Sequence, residues 1–327
     1  MNKKLAICIL TVLVVASWGM SLQAAEIVIK YADTVAPDHP NNLAALEFKK
    51  MVEKETNGRV RVDVFPAAQL GNEKELVEAC MLGAIDMFQC SSGALSLFQP
   101  EFGALASPYI FRDLDHMLKV AAGPIGQELG DKLQKSRGIK LLANNWYYGS
   151  RHLTTKSKPI YKPADLKGML IRSVEQPIFL ETVRALGGTP TPVDFSDLYM
   201  ALKQGAVEGQ ENPIPTIYTY KYYEAQKYIM LTGHIILTIY NGANAEWYNA
   251  LPDDVKAVIE KAMAQATTFN NDLVVKQEIE LIEKLKDQGM TVVEPDVAAF
   301  REACKDVHLK FEKQWGKGLY EKIVAVQ

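Results

Sequence analysis

The sequence predicts an α/β protein of two domains with one long helix laid across both. Three observations carry this. Strand and helix signals alternate from Ile27 to Cys90, the same alternation returns from Met169 to Glu211, and Asp253 to Gln288 holds neither Gly nor Pro. With 327 residues the length itself favours two domains, and 48% hydrophobic residues supply enough apolar material for two cores.

The first element is a strand, in which Ile27, Ile29 and Tyr31 alternate with other positions. A helix follows from Pro40 to Thr56, its apolar stripe at Ala44, Phe48, Met51 and Val52, and Gly58 ends it. Val60, Val62 and Val64 alternate with charges, as in a strand with one solvated face. Asn72 with Glu75 three residues on predicts a capped helix start. Leu76, Val77, Cys80 and Met81 give that helix its buried stripe, Gly83 closes it, and Ile85–Cys90 is a further strand. This order is that of an α/β domain.

In the second half, Met169–Arg172 is a strand, Ile178–Leu186 a helix, Pro190–Val193 extended, and Asp197–Gln204 a helix. A turn and strand over Gly205–Glu211 complete the unit. The run Ala79-Cys-Met-Leu-Gly-Ala-Ile-Asp86 is echoed by Ala201-Leu-Lys-Gln-Gly-Ala-Val-Glu208. Two similarly built domains would explain the echo, and chance is the alternative for so short a match.

The helix predicted over 253–288 has its stripe at Val255, Val258, Ile259, Ala262, Met263, Ala266, Phe269, Leu273, Ile279, Ile282 and Leu285. Its length of ~50 Å exceeds one domain. No sustained heptad with charged flanks is present, which favours a brace over a coiled coil. Met290–Glu294 is then a strand, and Val297–Trp315 a last helix with Phe300, Ala303, Cys304, Val307 and Phe311 inward.

The N-terminus carries a processing signal. Lys3 and Lys4 precede an uncharged apolar run, Leu5–Trp18, and small residues stand at Ala24 and Ala25 before Glu26. Residues 1–25 are expected to be a secretory signal peptide and the protein to be periplasmic. The alternative, a membrane anchor, needs ~20 apolar residues. Loss of Lys3 and Lys4 takes the formal net charge from -3 to -5, and neither value suggests a nucleic-acid partner. Cys8 leaves with the signal. Of Cys80, Cys90 and Cys304, one pair could form a disulfide, but burial as free thiols is expected because Cys80 and Cys304 fall on apolar helix faces.

No chemistry announces itself. The five histidines show neither helical metal-ligand spacing nor cysteine neighbours at zinc spacing, and no GxSxG, GxGxxG or Walker loop occurs. No catalytic residue, no metal ligand and no cofactor is assigned, and the protein is expected not to be an enzyme.

One segment carries recognition. Pro190–Pro213 reads Pro-Thr-Pro-Val-Asp-Phe-Ser-Asp-Leu-Tyr-Met-Ala-Leu-Lys-Gln-Gly-Ala-Val-Glu-Gly-Gln-Glu-Asn-Pro. It closely resembles the signature of the DctP-like solute-binding proteins of tripartite ATP-independent periplasmic (TRAP) transporters. Pro66-Ala-Ala-Gln-Leu-Gly71, Ala164-Asp-Leu-Lys-Gly-Met-Leu-Ile-Arg172 and Gly149-Ser-Arg151 resemble further family segments, so the likeness spans the mature chain. It implies a periplasmic binding protein-like fold: two α/β domains, a ligand cleft between them, and the long helix bracing both. On that basis domain I is 26–148 plus 238–277, and domain II is 149–237 plus 278–327. The resemblance also implies domain closure on a small organic acid and delivery to membrane permease subunits.

The resemblance assigns roles to individual residues. Arg172 would bind the ligand carboxylate, for which guanidinium offers two parallel donors. Asn212 would donate to the same carboxylate, against the alternative of a turn residue before Pro213. Arg151 is a second cationic contact or a rim residue. Phe195 packs on the solute or in the core. Glu73 and Ser91 face the cleft from the first domain, though Glu73 equally suits a helix N-terminus. Trp146 belongs to an aromatic run with Tyr147 and Tyr148 at the domain crossing, where it serves a sugar ring or the fold. Tyr240 lies where the chain returns to the first domain. His234 lies near the cleft floor or is a satisfied structural histidine.

The expected ligand is a sugar acid such as a hexuronate or aldonate, because Glu73, Ser91 and the aromatics could serve hydroxyls and a ring. A C4-dicarboxylate or keto acid is the alternative within the same role. A secreted enzyme on a similar two-domain frame, or a sensor module, are alternatives outside it.

Overall fold

A computed structural model describes residues 26–327. The expected signal peptide over residues 1–25 lies outside the described residues. In chain order the elements are β1 (Ile27–Ala32), α1 (Pro40–Glu55), β2 (Val60–Phe65), α2 (Glu73–Met81), β3 (Met87–Ser91), α3 (Ser92–Leu95), α4 (Leu114–Ala122) and α5 (Pro124–Arg137). There follow β4 (Ile139–Thr155), β5 (Leu170–Ser173), α6 (Pro177–Ala185), β6 (Thr189–Pro192), α7 (Leu198–Gln204), β7 (Gly209–Pro213), α8 (Ile214–Thr219) and β8 (Tyr228–Asn244). The chain closes with α9 (Ala245–Ala250), α10 (Asp253–Asp287), β9 (Thr291–Val293), α11 (Val297–Cys304), α12 (Glu312–Trp315) and α13 (Leu319–Val324).

The nine strands join in one sheet, in the order β2-β1-β3-β8-β4-β7-β5-β6, with β9 on β8. Two parallel halves, β2-β1-β3 and β7-β5-β6, flank the antiparallel pair β8 and β4. These two central strands are 17 residues each and run through both halves. The larger hydrophobic core takes residues from both sides, among them Ile29 and Phe48 with Ile171 and Val183.

The internal echo has a physical basis. In both copies a helix ends, a glycine turns the chain with positive φ (+72° at Gly83, +74° at Gly205), and a strand follows. The Asp86 carboxylate accepts from the Lys30 amide within the neighbouring strand β1 (2.7 Å), and Glu208 does the same for the Leu170 amide at the start of β5 (3.0 Å). The matching backbone bonds, Asp86 N–H to Lys30 O and Glu208 N–H to Leu170 O, complete each clip. The acidic residue in each copy thus sets the register of two parallel strands.

The predicted capping box at Asn72 and Glu75 is present. The long helix forms from Asp253 to Asp287 and packs on α1, β4 and α8. Its buried stripe differs from expectation: Phe269 and Ile279 are exposed (71% for Ile279), and Asn270 and Val274 are buried instead. The register of β4 on β8 slips between Ala143 and Trp146 and again between Tyr147 and Gly149. These bulges free backbone groups that would otherwise lie buried without partners. Helix α10 satisfies them: Asn270 Nδ2 donates to Tyr147 O (2.9 Å), Tyr147 N–H to Asn271 Oδ1 (2.8 Å), and Ser150 N–H to Glu278 Oε1 (2.6 Å). Polar residues are therefore inward here for a reason that apolar periodicity does not register.

The single last helix expected over Val297–Trp315 is replaced by α11, a 3₁₀ turn (Val307–Lys310) and α12. Phe300, Cys304, Val307 and Phe311 are buried as expected, while Ala303 is exposed. Tertiary packing overrides helix propensity: Phe311 and Trp315 stack at 5.1 Å, and Trp315 Nε1 would meet a Cβ at Gly103 within 2.9 Å. Cys80, Cys90 and Cys304 are buried free thiols, and burial pushes Cys80 and Cys304 up to about 12. Among the described residues no helix is long and apolar enough to cross a membrane.

Candidate functional site

The C-terminal ends of β1, β3, β5 and β6 converge on one cavity of about 130 Å³, the place where open α/β sheets take ligands. Residues of both sheet halves line it. The volume lies below the ~300 Å³ at which pockets for drug-sized ligands begin, so it suits a small metabolite.

Arg172 is the third residue of β5 and points to the face opposite Ile171. It is wholly buried (0% exposed). Its Nε donates to Val193 O (2.9 Å), and the guanidinium sits 5.9 Å from the Phe195 ring. Neither Nη1 nor Nη2 has a hydrogen-bond partner within the protein. Burial works against its positive charge, and the nearby Arg151 adds to that. A buried unpaired guanidinium is costly, and an anion at Nη1 and Nη2 would relieve it.

Arg151, on β4, is placed differently. Glu211 on β7 takes its Nε and, at 2.8 Å, its Nη2, and the Glu211 backbone carbonyl accepts from Nη2 at 2.6 Å. Burial alone would raise the Glu211 carboxyl, but the Arg151 guanidinium and the His234 hydrogen bond hold it down at about 2. Arg151 also lies 5.5 Å over the Phe179 ring. Its charge is largely consumed within the protein, so Arg172 is the cation left for a ligand.

Asn212, on β7, lines the cavity and donates one N–H to Gln210 Oε1 (2.6 Å). Gln210 Nε2 donates to Thr154 Oγ1 (2.9 Å), which donates to Gln226 Oε1 (3.0 Å). This chain fixes the amide and leaves its second N–H available. Phe195 lines the cavity and meets Tyr220 edge to face at 4.8 Å.

Glu73 and Ser91 line the opposite wall and bind each other. Glu73 accepts from the Ser91 amide (2.8 Å) and hydroxyl (2.7 Å), and Ser91 Oγ in turn caps α3 at the Ala94 amide (3.2 Å). Burial raises the Glu73 carboxyl against these bonds.

Three of the nine expected site residues do not line the cavity. Trp146 is buried against the long helix, donating to Thr267 Oγ1 (2.8 Å). Tyr240 packs edge to face on Phe102 at 5.1 Å. His234 is buried behind the wall, between Thr232 Oγ1 (2.8 Å) and Glu211 Oε2 (3.2 Å). The geometry adds Asp33, Asn41, Gln89, Tyr148 and Phe179, which sequence reasoning did not assign. Tyr148 had a signal as the last of the aromatic run. His39 stacks on Tyr148 at 5.1 Å and reaches Thr216 on α8 (3.1 Å), which ties the two sheet halves together behind the cavity. Among the described residues no cluster of His, Cys, Asp and Glu could hold a metal.

Known proteins share this architecture. A TRAP solute-binding protein from Polaromonas sp. JS666, bound to D-erythronate, is 35% identical with a TM-score of 0.87, over 92% of this chain and 99% of that one. A second, from Sulfurospirillum deleyianum DSM 6946 with bound succinate, is 32% identical with a TM-score of 0.88, over 93% and 100%. The C4-dicarboxylate-binding periplasmic protein DctP of Rhodobacter capsulatus is 34% identical over 93% of this chain and 91% of its own length. The profile of bacterial extracellular solute-binding protein family 7 matches residues 31–314. The chain belongs to that family, the DctP family, and is a TRAP solute-binding protein.

Proposed function

We propose that this chain captures a sugar acid, an aldonate or hexuronate, by its carboxylate and hands it to the permease subunits of a TRAP transporter. The observation that carries this reading is Arg172: a guanidinium with two unpartnered terminal nitrogens, buried at the wall of a small cavity. Two parallel N–H donors match the two oxygens of a carboxylate. Asn212 supplies a further donor without adding charge. The neighbour with D-erythronate supports an aldonate. The neighbour with succinate favours the C4-dicarboxylate alternative.

The reading includes a periplasmic location reached through the signal peptide and binding without turnover. It also includes the division into domains I and II at 148/149 and 237/238, within β4 and β8, with closure about those crossings. A thermal-shift screen of residues 26–327 against sugar acids, dicarboxylates and keto acids tests it. A ligand held at 100 times its Kd should stabilise by ~2.7 kcal/mol. No shift with any acid would sink the proposal, and loss of the ligand to a product during incubation would replace binding with catalysis.

A further inference from the structure

The wall facing Arg172 has polar groups that the carboxylate contact does not use. Asp33 follows β1 and is 2% exposed, while Asn41, in the first turn of α1, is fully buried. Both line the cavity. Asp33 Oδ1 accepts from the Val35 amide (3.0 Å), and its backbone carbonyl accepts from Ala68 N–H (3.1 Å), which anchors the residue and leaves Oδ2 without a partner. Asn41 is anchored through its backbone, by His39 Nδ1 (3.2 Å) and Gln89 Nε2 (3.3 Å), and both atoms of its side-chain amide are unpartnered. Buried polar atoms of folded proteins are nearly always paired, so three free ones on one cavity wall point to a ligand that pairs them.

The chemistry of that ligand follows from the charges. The wall carries Asp33 and Glu73 and no buried cation. Lys74 stands at the cavity margin, exposed and 3.8 Å from Glu78, and the remaining charged lining groups there, Glu175 and Asp194, are acidic and exposed. A second carboxylate would meet no counter-ion on this wall and would have to hold Asp33 in its protonated form. A hydroxyl can donate to Asp33 Oδ2 and exchange hydrogen bonds with both ends of the Asn41 amide. Burial holds the Asp33 carboxyl up at about 8, so it too can share a proton with a hydroxyl.

We infer that Asp33 and Asn41 form a hydroxyl-reading subsite opposite Arg172, which selects polyhydroxy monocarboxylates and rejects dicarboxylates. This rests on the carboxylate reading of Arg172 and deepens it.

Calorimetric titration of residues 26–327 tests the inference. The probes are erythronate, galactonate and galacturonate (one carboxylate with hydroxyls), succinate (two carboxylates) and butyrate (one carboxylate alone). At least one hydroxy acid should bind ~100-fold or more tighter than succinate and butyrate. Asn41→Leu should remove most of that advantage and leave butyrate unchanged. Asp33→Asn should strengthen succinate relative to the hydroxy acid, an opposite change that misfolding cannot imitate. Succinate within tenfold of every hydroxy acid, or a full advantage retained in Asn41→Leu, would overturn the subsite while the carboxylate reading stands. Failure of all five probes, with Arg172→Ala indistinguishable from wild type, would remove that reading and this inference together.

Discussion

Glu211 holds Arg151 by two points of its guanidinium, whereas Arg172, facing the same cavity, meets only a backbone carbonyl and an aromatic ring. Two buried arginines therefore have different jobs. One is a neutralised part of the wall, and the other is an unneutralised charge held ready.

Arg172→Met should abolish binding of organic acids yet leave the empty protein as stable as wild type or more so. An uncompensated buried charge carries a desolvation cost of several kcal/mol, and an apolar side chain of similar length removes that cost. Thermal melts with and without ligand check both halves. A large loss of stability without ligand would mean that Arg172 holds the fold rather than the solute.

Glu211→Gln should cost about 3–5 kcal/mol, because it strands Arg151 in the interior. The same pair gives a pH signature. A carboxyl depressed from 4.5 to about 2 contributes stability that is present above 4.5 and lost as pH falls through that window. Urea midpoints for both proteins at pH 7, 4 and 3 should converge on acidification; a constant difference would contradict the pairing.

His39 is buried and His152 half-buried; desolvation lowers both from 6.5 to about 3, with His234 adding to the effect at His152. They are neutral in the folded chain and take up protons on unfolding below 6.5. Stability from each is full above 6.5 and lost as pH falls towards 3. The double variant His39→Gln/His152→Gln should therefore lose less stability than wild type between pH 7.5 and 4. Equal losses would show that these rings titrate normally.

Gly149 adopts φ +120°, and a Cβ there would lie 2.6 Å from the Pro213 side chain and 3.1 Å from Glu278 Oε1. Gly149→Ala should destabilise by roughly 2 kcal/mol or more through strain and clash. A melting temperature within a degree of wild type would show that the bulge relaxes freely.

How much was legible divides along physical lines. The capping box at Asn72, the strand at Val60–Phe65 and the long helix were readable because each depends on local pattern or capping chemistry. Strand β8 was not, since Ile229–Ile239 is buried on both faces and shows no alternation. Strand β4 was hidden by its bulges and by the polar residues that α10 satisfies. Arg172, Asn212, Arg151, Phe195, Glu73 and Ser91 came from the resemblance, and all six line the cavity. Asp33 and Asn41 could not be singled out: a carboxylate after a strand and an amide in a first helical turn are ordinary in both places. Only the third dimension shows that their polar atoms lack partners.

Strands β4 and β8 also decide how the molecule comes apart. Melting either half would require releasing strands that hold the other half together, and the larger core would lose its lining on both sides at once. The chain from Glu26 onward should therefore denature in a single calorimetric peak, with equal van't Hoff and calorimetric enthalpies. Two resolved peaks would mean that the halves are thermodynamically separable despite their shared backbone.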